Sequence, residues 1–430
     1  MANEFLNASI EKISKTLPVL YEVEGKNTLY GLMQKTPAEK IVNTTNGADF
    51  RKPLKLSRAG VFGAANLDGG AILTGSKTNI KQMVQTFFPV QLSMALTMKD
   101  VYNTQKAELS IVNALNDAMK DAPRNLVYYA DASLHALGSA QGLVALGTAV
   151  TSAGAGTETV TCDTAMAANL VTEGMRLEIY ANNLGTHRTS AVPDNLPYVS
   201  GVDKTAGTFI ITNLGAITPQ ATDYYAFPGA GTTPAWSNGL GYFHNIATSG
   251  NMLGLAKGTY PQLNINAINA SSGLFVPDHV WQAKQRIRQR IGSVPKLTGL
   301  LHDAQAYQVA ALNLSISNLM VTGGAKGVVD VAPTVDETVP LAGISFLLDI
   351  HQDKTRVELL NMKSWERVEL IPKDFFKLPG QESYIRVKRE ATTAAATFAI
   401  EFTMLGSENY VCDNPAGEAV IYGLAIGAGH

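Results

Sequence analysis

At 430 residues the chain holds about three units at ~150 residues per domain, so a large core is available. Charged side chains make up 16% against a typical ~25%, and the apolar fraction is 46%, which excludes a disordered tail protein and a coiled coil. The 34 basic and 36 acidic side chains leave a formal net charge of -2, too little for the broad basic surface of a dedicated DNA-binding protein.

The two cysteines, Cys162 and Cys412, lie far apart with no CxxC pattern, so neither a disulfide scaffold nor a zinc site can be argued from them. A reduced, cytosolic setting is the expectation. No stretch approaches the ~18 uninterrupted apolar residues of a membrane span. The N-terminus has no basic lead into an apolar run, so no secretion signal is expected.

In chain order, the first ~45 residues carry Pro18 and Pro37 among short amphipathic pieces and read as an arm with no core of its own. Between Arg51 and Gln91, strand-like pieces at 53–56 and 79–85 flank a segment holding Gly60, Gly63, Gly69, Gly70 and Gly75. This predicts a long β-hairpin with a flexible tip. A lone hairpin is marginal in water, so it should be supported from outside the domain. A helical region follows from about Asp100, where Leu109, Val112, Leu115 and Met119 recur at spacings of three and four. Pro123 marks a kink or the first turn of a second helix running to Gly138.

From about Thr148 to Ala235 the composition shifts to Thr, Ala and Gly, and residues 139–259 hold only four basic and seven acidic side chains. Short β-like runs at 158–161, 175–180, 208–212 and 224–227 are separated by turn signals such as 203–207, which predicts a small antiparallel barrel inserted into a host fold. Beyond it, Asp278 is placed to cap a helix over 280–291 with Val280, the stem of Lys284, Ile287 and Ile291 on one side. A second helix, 304–312, follows Pro295. The last hundred residues alternate as strands at 356–360, 384–388 and 397–404. The fold class is α+β.

No GxxxxGK[ST], HExxH, GxSxG or paired CxxC motif occurs. The cluster Gly323-Gly324-Ala325-Lys326-Gly327 lacks the Ser or Thr and the spacing of a phosphate loop, and reads as a loop. His302-Asp303 and His351-Gln352-Asp353 put an imidazole near a carboxylate, but no nucleophile stands at a motif spacing. No catalytic, cofactor or metal residue is therefore expected. The one charge cluster is Lys284, Arg286, Arg288, Arg290 and Lys296, five bases with no acid between Val280 and Leu301. Arg286 and Arg290 share a helix face at i,i+4, which reads either as a solvated face or as a contact surface.

The order of arm, Gly-tipped hairpin, long helix, mixed domain and C-terminal sheet resembles the major capsid proteins of tailed bacteriophages, the Hong Kong 97-type fold. Local phrases are similar too: Gly239-Leu240-Gly241 after the insert, Pro277-Asp278-His279-Val280-Trp281 opening a helix, 341–349 with its apolar run closing on Asp349, and the apolar strand 417–424. The resemblance implies an arm at 1–45, an extended hairpin at 46–95, and a peripheral domain with spine helix at 96–147 and 350–405. It further implies an inserted β domain at 148–236 and an axial domain at 237–349 and 406–430.

The function implied is an icosahedral shell around double-stranded DNA, built by self-association into pentamers and hexamers without chemistry, cofactor or membrane. The implied partners are a separate scaffold protein or none, a portal, a decoration protein in those shells that carry one, and DNA touched weakly on the inner face. The candidate intersubunit contacts are Arg58, Phe62 and Lys77 on the hairpin and Arg286 and Arg290 on the basic helix, the last two facing either a neighbour or the DNA. Alternatives are an α+β enzyme with a β accessory domain and an encapsulin-like shell protein.

Overall fold

The computed structural model describes residues 29–36, 49–56, 79–97, 122–123, 125–135, 143–154, 156–163, 169–181, 186–189, 196–215, 217–229, 237–309, 338–349, 351–377, 385–389 and 396–426. The hairpin tip with Arg58, Phe62 and Lys77, the Leu109–Met119 periodicity, the 323–327 cluster and most of the arm lie outside the described residues.

The predicted hairpin is present as a two-stranded ribbon. β2 (Asp49–Lys55) pairs antiparallel with β3 (Ile80–Thr86), in register from Asp49 opposite Thr86 to Lys55 opposite Ile80. Only Phe87 separates β3 from β4 (Phe88–Thr97), so the ribbon extends directly from a sheet edge. That sheet is organised by β20 (Ala396–Cys412), whose length lets it take several partners. β4 covers one of its edges, and the other is shared by β19 (Ile385–Arg389) and β18 (Trp365–Phe375). β1 (Gln34–Thr36) adds to β18 in parallel. Residues 125–134 are helical, with Leu126, Val127, Ala130 and Leu134 buried.

The insert is an antiparallel sheet that closes on itself. Its strand order is β7 (Glu178–Tyr180), β10 (Tyr224–Ala226), β5 (Leu143–Gly154), β6 (Thr157–Cys162), β9 (Thr208–Thr212) and β8 (Tyr198–Asp203). Closure comes from residues 174–177: Gly174 N donates to Val199 O at 2.8 Å, Val199 N to Met175 O at 2.9 Å and Leu177 N to Pro197 O at 3.0 Å. A closed barrel leaves no open edge. Its interior is filled by Val144, Val160, Leu177, Val199, Phe209 and Tyr225. Two expectations change here. The start at 148 falls inside β5, because the run Leu143-Val144-Ala145-Leu146 is apolar without alternation and does not distinguish a buried strand from a helix end. The run 175–180 is not one strand: its first half pairs with β8 and only 178–180 with β10, since the chain crosses the barrel seam there.

The remaining sheet has the order β13 (Asn266–Asn269), β21 (Ala419–Tyr422), β17 (Val357–Leu360), β14 (Thr298–Leu301), β16 (Ile344–Leu348) and β15 (Thr338–Leu341). Helix Pro277–Ile291 lies on it with Val280, Ala283 and Ile287 buried against Phe275, Phe346 and Ile421. Pro277 occupies the first helical position, where its missing N–H costs nothing, and Gly292 ends the helix at φ 85°. Asp278 does not cap it: Val276 is the N-cap, its N–H donates to His279 Nδ1 at 3.4 Å, and Asp278 accepts from Gln282 Nε2 at 2.6 Å.

Two domain limits also move. β17 belongs to this sheet although it lies after 350, and β20 keeps its pairing with β18 through Cys412. Alternation in a strand records burial, not which sheet takes it.

Candidate functional site

The hub of the molecule lies where Leu29–Leu32, the ribbon base, helix 125–134, Leu240–Phe243 and the start of β18 meet. Tyr30, Met83, Leu134, Phe243, Trp365 and Tyr410 form its apolar part. Gly239 admits the chain returning from the barrel, because a Cβ there would sit 2.3 Å from Leu134 O. Around this hub the sequence buries an unusual amount of charge for so charge-poor a chain, in three clusters.

In the first, Glu408 Oε1 accepts from Lys373 Nζ at 2.8 Å and from Tyr410 OH at 3.0 Å, while Tyr30 OH donates to Oε2 at 3.0 Å. The Arg367 guanidinium stacks 4.2 Å from the Tyr30 ring centroid. Burial alone would raise the Glu408 carboxyl, but Lys373 and the hydrogen bonds hold it below its usual value.

In the second, both ring nitrogens of His244 face carboxylates, Nδ1 on Glu358 and Nε2 on Glu418 at 2.7 Å. Two acceptors require two N–H groups, so the ring is an imidazolium. Burial opposes this, yet the Glu358 charge and the hydrogen bonds to both glutamates push its pKa up to about 9. Glu418 Oε1 accepts from Asn361 N, Ser364 Oγ and Trp365 Nε1 at 3.1, 2.7 and 2.8 Å, and Arg356 Nη2 lies 3.0 Å from Glu358. Cys412, next to Glu418, is a buried free thiol whose pKa burial pushes well up.

In the third, Asp131 and His135 stand one helical turn apart at the end of helix 125–134, and Asp349 and His351 follow β16. His135 Nε2 is 3.0 Å from Asp349 Oδ2, and His351 Nδ1 is 2.8 Å from Asp131 Oδ2. Donor atoms of Asp131, His135 and Asp349 lie within 4.8 Å of one another. This is the group among the described residues whose donors suit a metal ion. Burial lowers the His135 pKa, but Asp349 and then Asp131 outweigh it and push it to about 9.

The residues singled out from sequence fare differently. His302 caps helix 303–309 by accepting from Ala304 N at 3.1 Å. His351 takes its carboxylates from Asp131 and Asp349, not from Asp353 nearby in sequence. Arg286 and Arg290 do share a face, but both are engaged within their own chain. Arg286 Nη1 donates to Ala267 O, and Arg290 donates to Pro261 O and, at 2.6 Å, to Asn264 O. The buried acids escaped the sequence reading, although Glu358 inside the otherwise apolar strand Val357–Leu360 and the patterns Asp-x3-His at 131–135 and Asp-x-His at 349–351 were visible signals.

No protein-family model matches the chain, and no curated protein matches it in sequence. Its structure is similar to the capsid asymmetric unit of cyanophage A-1(L), with a TM-score of 0.50 at 11% identity over 92% of each chain. It is also similar, more distantly, to the capsid of a native GTA particle, with a TM-score of 0.42 at 9% identity over 94% of this chain and 90% of that one. The mature capsid of bacteriophage PhiM1 gives a TM-score of 0.41 at 9% identity over 93% and 87%. The cyanophage likeness shows the fold, which is the phage-capsid fold of Hong Kong 97 type.

Proposed function

We propose that this chain is a major capsid protein, whose copies associate through pentamers and hexamers into a closed icosahedral shell around double-stranded DNA. The observation that carries the reading is the extent of the likeness to the cyanophage capsid subunit, 92% of both chains, which leaves little of either chain for another function. The ribbon supports it independently. Among the described residues its two strands form a sheet of their own, tied to the rest by Val84 N donating to Leu253 O at 3.2 Å, and it exposes Ile80 at 61% and Val84 at 37%, apolar surface that a neighbouring copy would cover. A near-neutral chain also lets many copies pack without mutual repulsion.

In this reading Arg58, Phe62 and Lys77 contact a neighbouring subunit. Arg286 and Arg290 stiffen the axial helix against the 261–267 segment, and a contact through Arg286 to a neighbour or to DNA is secondary. A scaffold, a portal, a decoration protein and weakly held DNA complete the particle, and the subunit itself carries out no chemistry. The enzyme alternative has no motif to stand on.

Light scattering and electron microscopy of the chain expressed alone and with its neighbouring genes test the proposal. Closed shells are expected, with assembly rising steeply with concentration. A species fixed at 45.8 kDa under all these conditions overturns it. Removing residues 58–76 should leave a folded subunit that assembles poorly; normal shells from that variant would remove the hairpin from the interface.

A further inference from the structure

We propose that the outer face of helix Pro277–Ile291, led by the exposed Arg288 and by Lys296 just beyond the helix, is a contact surface for the phosphate backbone of double-stranded DNA. The inference rests on the shell reading, since it names the groups that would meet the enclosed DNA. At 3.6 residues per turn, Lys284 and Arg288 run along one flank of the helix and Arg286 and Arg290 along the other. Gln282, Gln285 and Gln289 stand on the crest between them, opposite the buried Val280, Ala283 and Ile287. The crest offers neutral amides that can bond phosphate oxygens, and the flanks carry the charge that attracts them. Asp278, the one acid of the helix, stands in its first turn and accepts from Gln282.

The positive charge of this face is uncompensated. Lys284 donates to Ala342 O, Arg286 to Ala267 O, and Arg290 to Pro261 O, to Asn264 O at 2.6 Å and to Asn266 Oδ1 at 3.2 Å. All of these acceptors are neutral, so the contacts fix the side chains in place and leave their charge to act outward. Arg288 and Lys296 are exposed, and among the described residues no carboxylate pairs with any of the five. Elsewhere the chain does the opposite: Lys52, Arg188, Arg356, Arg367 and Lys373 each meet a carboxylate within 3.3 Å. Burial pushes Lys284 and Arg290 below their usual values with no acid to raise them, as expected of cations without a counter-charge.

A second copy of the chain offers no matching acidic surface among the described residues. The exposed acids stand one to an element: Glu173 and Asp203 on the barrel, Asp278 and Asp303 at the starts of two helices, and Asp374 on β18. None of these elements can face five cations placed between 284 and 296. Duplex DNA can, because it presents one negative charge per ~1.7 Å of its axis.

Anisotropy of a fluorescein-labelled DNA duplex, in two unrelated sequences, tests the surface when titrated with the full chain at concentrations too low for shells to scatter light. With four of the five cations engaged, log K should fall against log salt with a slope of about −3.6, a loss of about 150-fold between about 50 and 200 mM, equal for both sequences. In R288Q/K296Q the slope should fall to about −1.8 and the loss to about 12-fold. Both side chains are exposed, so circular dichroism should show the native fold, and K204Q, which removes an exposed lysine of the barrel, should keep the native slope. A native chain without salt-dependent binding, or R288Q/K296Q with the native slope, overturns the surface. So does R288Q/K296Q protein that binds DNA like the native chain but no longer forms shells, which would assign these residues to a neighbouring subunit. A chain that gives the expected DNA response yet never forms shells overturns the shell reading and upholds the surface.

Discussion

Replacing His244 with glutamine isolates a fully buried arrangement of one imidazole and two carboxylates. In the native chain the ring donates from both nitrogens, to Glu358 and to Glu418, and its pKa rises from 6.5 to about 9. A folded-state pKa above the unfolded one stabilises the protein fully below the unfolded value and is lost as pH rises through the folded value. At 1.36 kcal/mol per pKa unit, the contribution is about 3 kcal/mol below pH 6.5, and it fades between pH 6.5 and 9. Glutamine can offer at most part of this hydrogen bonding and no charge, leaving Glu358 with Arg356 and Glu418 with its three remaining donors. Removing one partner of a buried ion pair costs about 3–5 kcal/mol.

H244Q should therefore lose about 3–5 kcal/mol at pH 6, and the loss should shrink by about 3 kcal/mol by pH 9.5. Urea unfolding of the unassembled subunit with chelator present, followed by circular dichroism at pH 6, 7.5 and 9.5, measures both quantities. A destabilisation that stays the same at all three pH values would refute the reasoning, because the imidazolium would then not be what the glutamates hold.

Gly239→Ala places a Cβ 2.3 Å from Leu134 O, a backbone atom that cannot swing aside, so a loss of about 1–3 kcal/mol and a lower melting temperature are expected. Unchanged thermal unfolding would mean that the hub tolerates separation of the barrel exit from helix 125–134. Tyr225→Phe should do the reverse. The Tyr225 hydroxyl is buried in the barrel without a hydrogen-bond partner among the described residues, so its removal should leave stability unchanged or raise it by about 1 kcal/mol. A loss above about 1 kcal/mol, read by the same melt, would reveal a partner for that hydroxyl.

Local patterns were legible where one side of an element faces solvent or a turn. The ribbon strands, the helix over 280–291 and the barrel strands at 158–161 and 208–212 lie where alternation, helical period and turn residues put them. The same kind of signal failed at Leu143–Leu146 and at 175–180, where burial is continuous or the chain changes partner in mid-run. The basic helix face was visible, but its use was not: spacing puts Arg286 and Arg290 side by side, and only the approach of residues 261–267 turns them into internal braces.

Composition and strand rhythm thus determined a charge-poor α+β chain, a hairpin ribbon and a small antiparallel barrel, because these depend on neighbours a few residues away. Tertiary structure alone decided which sheet receives β17 and β20, how the barrel closes, and that His135, His244 and His351 meet carboxylates from distant segments. A charged residue in a sequence carries no mark of its partner. Its cost or benefit is set by the counter-charge that folding brings within about 3 Å and by the water it excludes, and neither exists until the sheets and helix 125–134 have come together.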